Sequence, residues 1–138
     1  MYEISRNLSF CYGHRLIDHP GKCAHLHGHN GHVEVTLTSS QLDPQGMVVD
    51  FQVIRERLGA WIDATLDHRM ILQKGDPALP ALLSLGEPIY EVPFPPTAEN
   101  LARHLFEKAQ QLELPVQAVR FEETPSCHAL YRSDATPA

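Results

Sequence analysis

Cysteine, positive charge and long apolar runs are all in short supply in this sequence, and each shortage closes off a class of protein. The three cysteines, Cys11, Cys23 and Cys127, are odd in number and scattered, so they make no disulfide framework and a reducing compartment is the simpler expectation. Cys11 and Cys127 then read as small packing residues. Lysine and arginine total 11 against 17 aspartates and glutamates, a formal net charge of −6, which argues against a broad nucleic-acid surface. An anionic small ligand is still compatible with that balance, because a bound cation sets the local field whatever the net charge. No stretch of about 18 apolar residues offers a membrane span, and no basic, apolar leader is evident. A cytoplasmic protein with no membrane partner is expected. Internal repeats and low-complexity tracts are also missing. With 138 residues, 43% hydrophobic and 20% charged, the chain is expected to fold as a single domain over residues 1–138.

Histidine, by contrast, is plentiful, with nine residues. Tyr2, Ile4, Leu8, Phe10 and Tyr12 are apolar at even positions of a first strand over 2–14, and His14 falls in the same register. In a second strand over 28–39, Val33, Val35 and Leu37 share one face, and His27 and His29 have their parity. If the two strands pair as neighbours, His14, His27 and His29 meet at one end of one inward face. Three neutral imidazoles with a vacant fourth position describe a catalytic zinc site better than a closed structural one. Cys23, four residues before His27, reads as a nearby thiol. The alternative is a fourth ligand that closes a structural site.

The rest of the chain supplies a frame. Arg15 to Lys22, with Asp18, Pro20 and Gly21, is a turn-rich connection, and Ser39 to Gly46 is a loop. Asp50 is placed to cap a helix carrying Val53, Ile54, Leu58, Trp61, Ile62 and Leu66, which stops near Asp67 and His68. Residues 73–96 hold Pro77, Pro80, Pro88, Pro93, Pro95 and Pro96 and are the least regular part, with one extra turn of helix over Leu79 to Leu85. Thr97 caps a second helix bearing Leu101, Leu105, Phe106 and Leu112, closed by Pro115. Val116 to Thr124 and Cys127 to Arg132 read as final strands around Pro125, and Ser133 to Ala138 as a frayed tail. The order ββααββ predicts an α+β fold, a four-stranded antiparallel sheet with two helices on one face. Glu123 has the inward parity of Val119 and Phe121. A carboxylate turned inward must pair, with Arg120 or a backbone group, or bind something.

Taken together these residues resemble a known family, the 6-pyruvoyl-tetrahydropterin synthases and their bacterial relatives, the 6-carboxy-tetrahydropterin synthases of queuosine biosynthesis. Phe10 to Leu16 is similar to the family's first zinc-histidine segment, and Cys23-x-x-x-His27-Gly28-His29-Asn30 to its cysteine and zinc pair. Gly46 to Phe51 resembles its helix entry, Leu66-Asp67-His68 its catalytic dyad, Pro96 to Asn100 its second helix start, and Glu123-Thr124 its pterin anchor. Three residues between Cys23 and His27 look like the queuosine branch. Ala24 and His25 offer no glutamate such as the folate-linked branch carries nearby, and Gly31 departs from relatives that often have an aromatic residue there.

That resemblance implies a tunnelling fold whose sheets join edge to edge in a homohexamer, a dimer of trimers, with active sites between subunits. His68 would then serve a neighbour's site. It implies one Zn2+ per subunit on His14, His27 and His29, with Cys23, Asp67, His68 and Glu123 as catalytic residues. Glu123, supported by Thr97 and Glu99, would bind the pterin. The implied reaction converts 7,8-dihydroneopterin triphosphate to 6-carboxy-tetrahydropterin, acetaldehyde and triphosphate. The alternatives are a 6-pyruvoyl-tetrahydropterin synthase, which eliminates triphosphate from the same substrate, and a non-enzymatic zinc-stabilised pterin-binding module. Asp67 and His68 also suit a helix C-terminus, where the dipole favours an imidazolium. Arg15, Lys22 and Arg69 are candidate phosphate contacts, and His25 is set apart from the remaining histidines by lying beside Cys23.

Overall fold

The computed structural model describes residues 1–134, so the expected tail lies, beyond Asp134, outside the described residues. The alternation read from the sequence forms two long strands, β1 (Tyr2–His14) and β2 (His27–Ser39), paired antiparallel from Tyr2 opposite Ser39 to His14 opposite His27. A helical run follows: α1 (Phe51–Ile54), a π-helical turn at Arg55–Gly59, and α2 (Ala60–Thr65). Asp50 caps it, accepting from the backbone N–H of Gln52 at 2.8 Å. Next come β3 (Arg69–Gln73), α3 (Leu79–Ser84), β4 (Ile89–Val92), α4 (Ala98–Gln111), β5 (Val116–Thr124) and β6 (Cys127–Arg132). The turn of helix expected after Leu79 is α3. Among the described residues no helix is long and apolar enough to cross a membrane.

The fold is α+β, but the sheet corrects the expectation of four antiparallel strands. It has six, in the order β4-β3-β1-β2-β5-β6, and it is mixed: β3 runs parallel to β1, and β4 parallel to β3. The two extra strands have only five and four residues, too short to display an alternating pattern of their own. Pro88 and Pro93 flank β4 without entering it, where a proline can sit because no ladder N–H is required. What makes these segments strands is backbone pairing with distant partners.

Leu8, Phe10, Val33, Val35, Leu37, Val119 and Phe121 point inward from β1, β2 and β5. Ile54, Leu58, Ile62 and Leu66 from the first helical run, and Leu101, Leu105 and Phe106 from α4, enter the same core. Each side chain of this kind contributes about 1.5–3 kcal/mol on full burial. That core continues without a break into Tyr12 and His14 at the far end of β1. The histidine end of the sheet is therefore anchored by packing and is not left on a loop.

Candidate metal centre

Pairing of β1 with β2 sets His14 opposite His27 and Tyr12 opposite His29. The three imidazoles form a triangle, with ring centroids 4.5 Å apart for His14 and His27 and 5.0 Å for each of the other pairs. One potential ligand atom from each lies within 4.8 Å of the others, so the three histidines could hold a metal ion. Their outer contacts fix which nitrogen faces the centre. Nδ1 of His14 lies 2.8 Å from the carbonyl of Pro96, and Nδ1 of His27 lies 2.6 Å from the carbonyl of His25. A carbonyl only accepts, so both Nδ1 atoms carry the proton and both Nε2 atoms keep a lone pair.

Two further observations fit a cation. The Nε2 atoms of His14 and His29 are buried without a hydrogen-bond partner, a costly state for polar atoms unless something else satisfies them. Burial also pushes the pKa of His14 down to about 4 and that of His29 below its ordinary value, so the rings are neutral and ready to ligate near neutral pH. Glu123 completes the picture. It sits on β5 where the pairing with β6 shifts between Glu122 and Thr124, a bulge that re-aims a side chain. Its Oε1 lies 3.3 Å from Nε2 of His14 and 3.5 Å from Nε2 of His29. A carboxylate facing the Nε2 lone pair of His14 is repelled unless positive charge lies between them. Arg120 is not its partner, since that guanidinium meets Nδ1 of His128 at 3.2 Å.

Tyr12 forms the wall behind the triangle, its ring 5.1 Å from that of His14 and 5.6 Å from that of His29. Its phenol is buried without a hydrogen-bond partner. Burial, reinforced by the charge of Glu123, pushes the pKa of that phenol far up, so it stays protonated. Alternation along β1 predicts only a core position for Tyr12. Parity with His14 was the available signal.

Cys23 lies in a short 3-10 turn, Lys22–Ala24, half-buried with a free thiol. Among the described residues the metal-capable group comprises the three histidines and not Cys23, which speaks against a closed four-ligand site. Asp67 and His68 do form a dyad, Oδ2 of Asp67 lying 2.8 Å from Nδ1 of His68. It is docked on β1 at Cys11: Asp67 Oδ1 accepts from the Cys11 N–H at 3.0 Å, and the His68 N–H donates to the Cys11 carbonyl at 2.7 Å. Burial raises the Asp67 pKa, but hydrogen bonds from His68 and Cys11 outweigh it and hold the carboxyl below its usual range. His68 has a φ of +58°, a left-handed conformation unusual outside glycine. Its side chain is 78% exposed, turned to solvent. Thr97 caps α4, its Oγ1 accepting from the Asn100 N–H at 3.2 Å, and Glu99 is exposed in the first turn. Neither has a described contact with the histidines.

Of the candidate phosphate contacts, Arg15 is already committed. Its Nε donates to the buried carboxylate of Asp76 at 2.9 Å and its Nη2 makes a second, short contact there. Arg69 donates to the carbonyl of Ala64 at 3.0 Å. At Gly31 an added Cβ would lie 3.0 Å from the Phe121 ring and 3.1 Å from that of Tyr12. Those two rings make the wall at that point.

The chain has relatives along nearly its whole length. The 6-carboxy-5,6,7,8-tetrahydropterin synthase of Rickettsia bellii is 37% identical over 92% of this chain and 97% of its own. That of Haemophilus influenzae is 32% identical over 96% and 99%. Among solved structures, an uncharacterized protein from Wolinella succinogenes superposes with a TM-score of 0.84 at 31% identity, over 96% of this chain and 98% of its own. The 6-pyruvoyl tetrahydropterin synthase of Caenorhabditis elegans superposes with a TM-score of 0.72 at 27% identity, over 96% of each chain. Residues 3–134, a span that takes in the histidine triangle, Cys23, the Asp67–His68 dyad and Glu123, match one family profile. The chain belongs to the 6-pyruvoyl tetrahydropterin synthase family.

Proposed function

We propose that this chain is a zinc-dependent 6-carboxy-5,6,7,8-tetrahydropterin synthase of the queuosine (7-deazaguanine) branch. Its substrate is 7,8-dihydroneopterin triphosphate, and its products are 6-carboxy-tetrahydropterin, acetaldehyde and triphosphate. The observation that carries this reading is the triangle of imidazoles able to hold one metal ion, with two buried, unpartnered Nε2 atoms. The names of the Rickettsia and Haemophilus relatives favour the carboxy-forming branch.

His14, His27 and His29 hold the ion, which supplies Lewis acidity toward the side-chain oxygens of the substrate. Cys23 takes and returns protons at the carbon next to those oxygens. Asp67 fixes the tautomer and orientation of His68, which relays protons. Because His68 faces solvent in its own chain, it acts on the site of a neighbouring subunit in a cytoplasmic homohexamer, a dimer of trimers. Glu123 accepts from the 2-amino group and ring N–H of the pterin, with Thr97 and Glu99 supporting the pocket from the start of α4. The whole of 1–138 acts as one domain.

Incubating the zinc-loaded protein with 7,8-dihydroneopterin triphosphate and measuring acetaldehyde tests the reading. Stoichiometric acetaldehyde and triphosphate are expected. Triphosphate with a pyruvoyl product and no acetaldehyde would assign the chain to the pyruvoyl-forming branch. Pterin binding without turnover would make it a binding module.

A further inference from the structure

Three buried polar side-chain atoms lack a hydrogen-bond partner among the described residues: Nε2 of His14, Nε2 of His29 and the phenol oxygen of Tyr12. A metal ion accounts for the two nitrogens, which belong to the group that could hold one. It does not account for the phenol, whose O–H is a donor to be satisfied. Tyr12 is 4% exposed. Buried hydroxyls nearly always have a partner, so one left open in the wall of a site calls for an explanation. If Tyr12 only filled space, phenylalanine would fill it without burying an unpaired O–H.

Its place in the wall depends on Gly31. A Cβ at position 31 would stand 3.1 Å from Cε1 of Tyr12 and 3.0 Å from Cζ of Phe121, closer than those rings allow without moving. Gly31 and Tyr12 thus work as a pair across the β1–β2 ladder, the glycine leaving room and the tyrosine bringing a hydroxyl into it. Glu123 lies over the same space, 3.3 Å from His14 and 3.5 Å from His29. It acts on the phenol through its charge and as an acceptor, although the pair does not reach full hydrogen-bond geometry. Glu123 moving onto a pterin edge would uncover the phenol and the imidazoles together.

We infer that the Tyr12 hydroxyl is a substrate-contacting hydrogen-bond donor of this site, meeting a polar atom of the bound pterin between the histidine triangle and Glu123, with Gly31 making room for it. This rests on the pterin reading above. The probe is neopterin, which has the pterin ring and the hydroxylated side chain but no triphosphate to eliminate. It is titrated by fluorescence into zinc-loaded wild type, Tyr12→Phe and Gly31→Ala. Tyr12→Phe is expected to bind neopterin about tenfold more weakly, ~1.4 kcal/mol, with full zinc content and a melting temperature no lower than wild type. Gly31→Ala, which displaces the ring and leaves the O–H in place, is expected to weaken binding as well. Equal neopterin affinity in wild type and Tyr12→Phe at equal zinc content overturns this inference alone. Loss of zinc from Tyr12→Phe also overturns it, by making the hydroxyl part of the metal's support. Failure of the wild type to bind neopterin overturns the pterin reading, and this inference with it.

Discussion

His14 donates from Nδ1 to the carbonyl of Pro96 across 2.8 Å, a bond that ties the end of β1 to the residue before the cap of α4. That carbonyl is itself held in place. The neighbouring carbonyl of Pro95 accepts from the Thr97 N–H at 2.8 Å and from Nδ2 of Asn100 at 2.9 Å. Asn100 therefore braces the turn that orients His14, one of the three histidines that could hold a metal ion. Asn100→Asp keeps the size and adds a negative charge that helix N-termini favour, but it has no N–H to give. Zinc affinity is expected to fall about 10-fold or more, the usual scale for partners that orient a ligand, while the metal-free protein melts at an unchanged or higher temperature. Competition with a chromophoric chelator measures the first and calorimetry the second. Unchanged affinity would mean that the turn holds without Asn100.

The buried carboxylate of Asp76 gives a pH prediction. Its pKa is lowered chiefly by the hydrogen bonds from Arg15, against an opposing contribution from burial, with a further bond from the Ala78 N–H. A depressed folded-state pKa stabilises the fold above the unfolded value, about 3.9, and that stability is lost as pH falls through the folded value. Wild type should therefore lose stability steeply below about pH 4. Asp76→Asn should lose less over the same interval, after starting about 1–3 kcal/mol lower at pH 7 because Arg15 loses a charged partner. Urea unfolding from pH 7 to pH 3 decides it. Parallel curves would show that the pair contributes nothing to the linkage.

The histidine triangle was legible because a strand's period of two is strict. Once Val33, Val35 and Leu37 mark the inward face, the direction of His27 and His29 follows, and Tyr12 fixes His14 in the same way. Glu123 could be singled out by phase too, although a bulge and not simple alternation delivers it. Other features depended on partners far away in sequence. β3 and β4 became strands by parallel pairing. Asp76, between Gly75 and Pro77, looks like an ordinary turn residue until Arg15 is brought to it. The outward setting of Asp67 and His68 required knowing that their segment docks on Cys11. The even-numbered parity of Tyr12 puts it in the core, where it lies, but periodicity says nothing about whether a phenol oxygen is satisfied.

The group that could hold a metal ion comprises His14, His27 and His29 without Cys23, so the proposed thiol chemistry and the proposed metal site can be tested apart. Cys23→Ala is expected to keep a full complement of zinc and its melting temperature while losing turnover by about 10²–10⁴-fold, the range for removing a positioned acid–base group. Elemental analysis beside the acetaldehyde assay checks both. Loss of zinc would make the thiol a ligand, and retained turnover would leave it without a role.

The exposed dyad makes the last prediction one about assembly. Each chain carries its triangle at the buried end of β1, whereas its His68 imidazole, braced by Asp67, stands in solvent. If the dyad serves the site of an adjoining subunit, Cys23→Ala and His68→Ala remove different halves of a shared centre. Each variant alone should be nearly inactive. Co-expressed and purified as mixed oligomers, they should recover activity, because an interface pairing an intact Cys23 on one chain with an intact His68 on the other is a complete site. The pair of substitutions placed together on one chain, mixed with wild type, supplies the comparison, since it lowers activity without any complementation. Mixed oligomers of the two single variants that stay inactive would place the thiol and the imidazole on the same chain, and His68 would then have to swing inward from its position at Cys11.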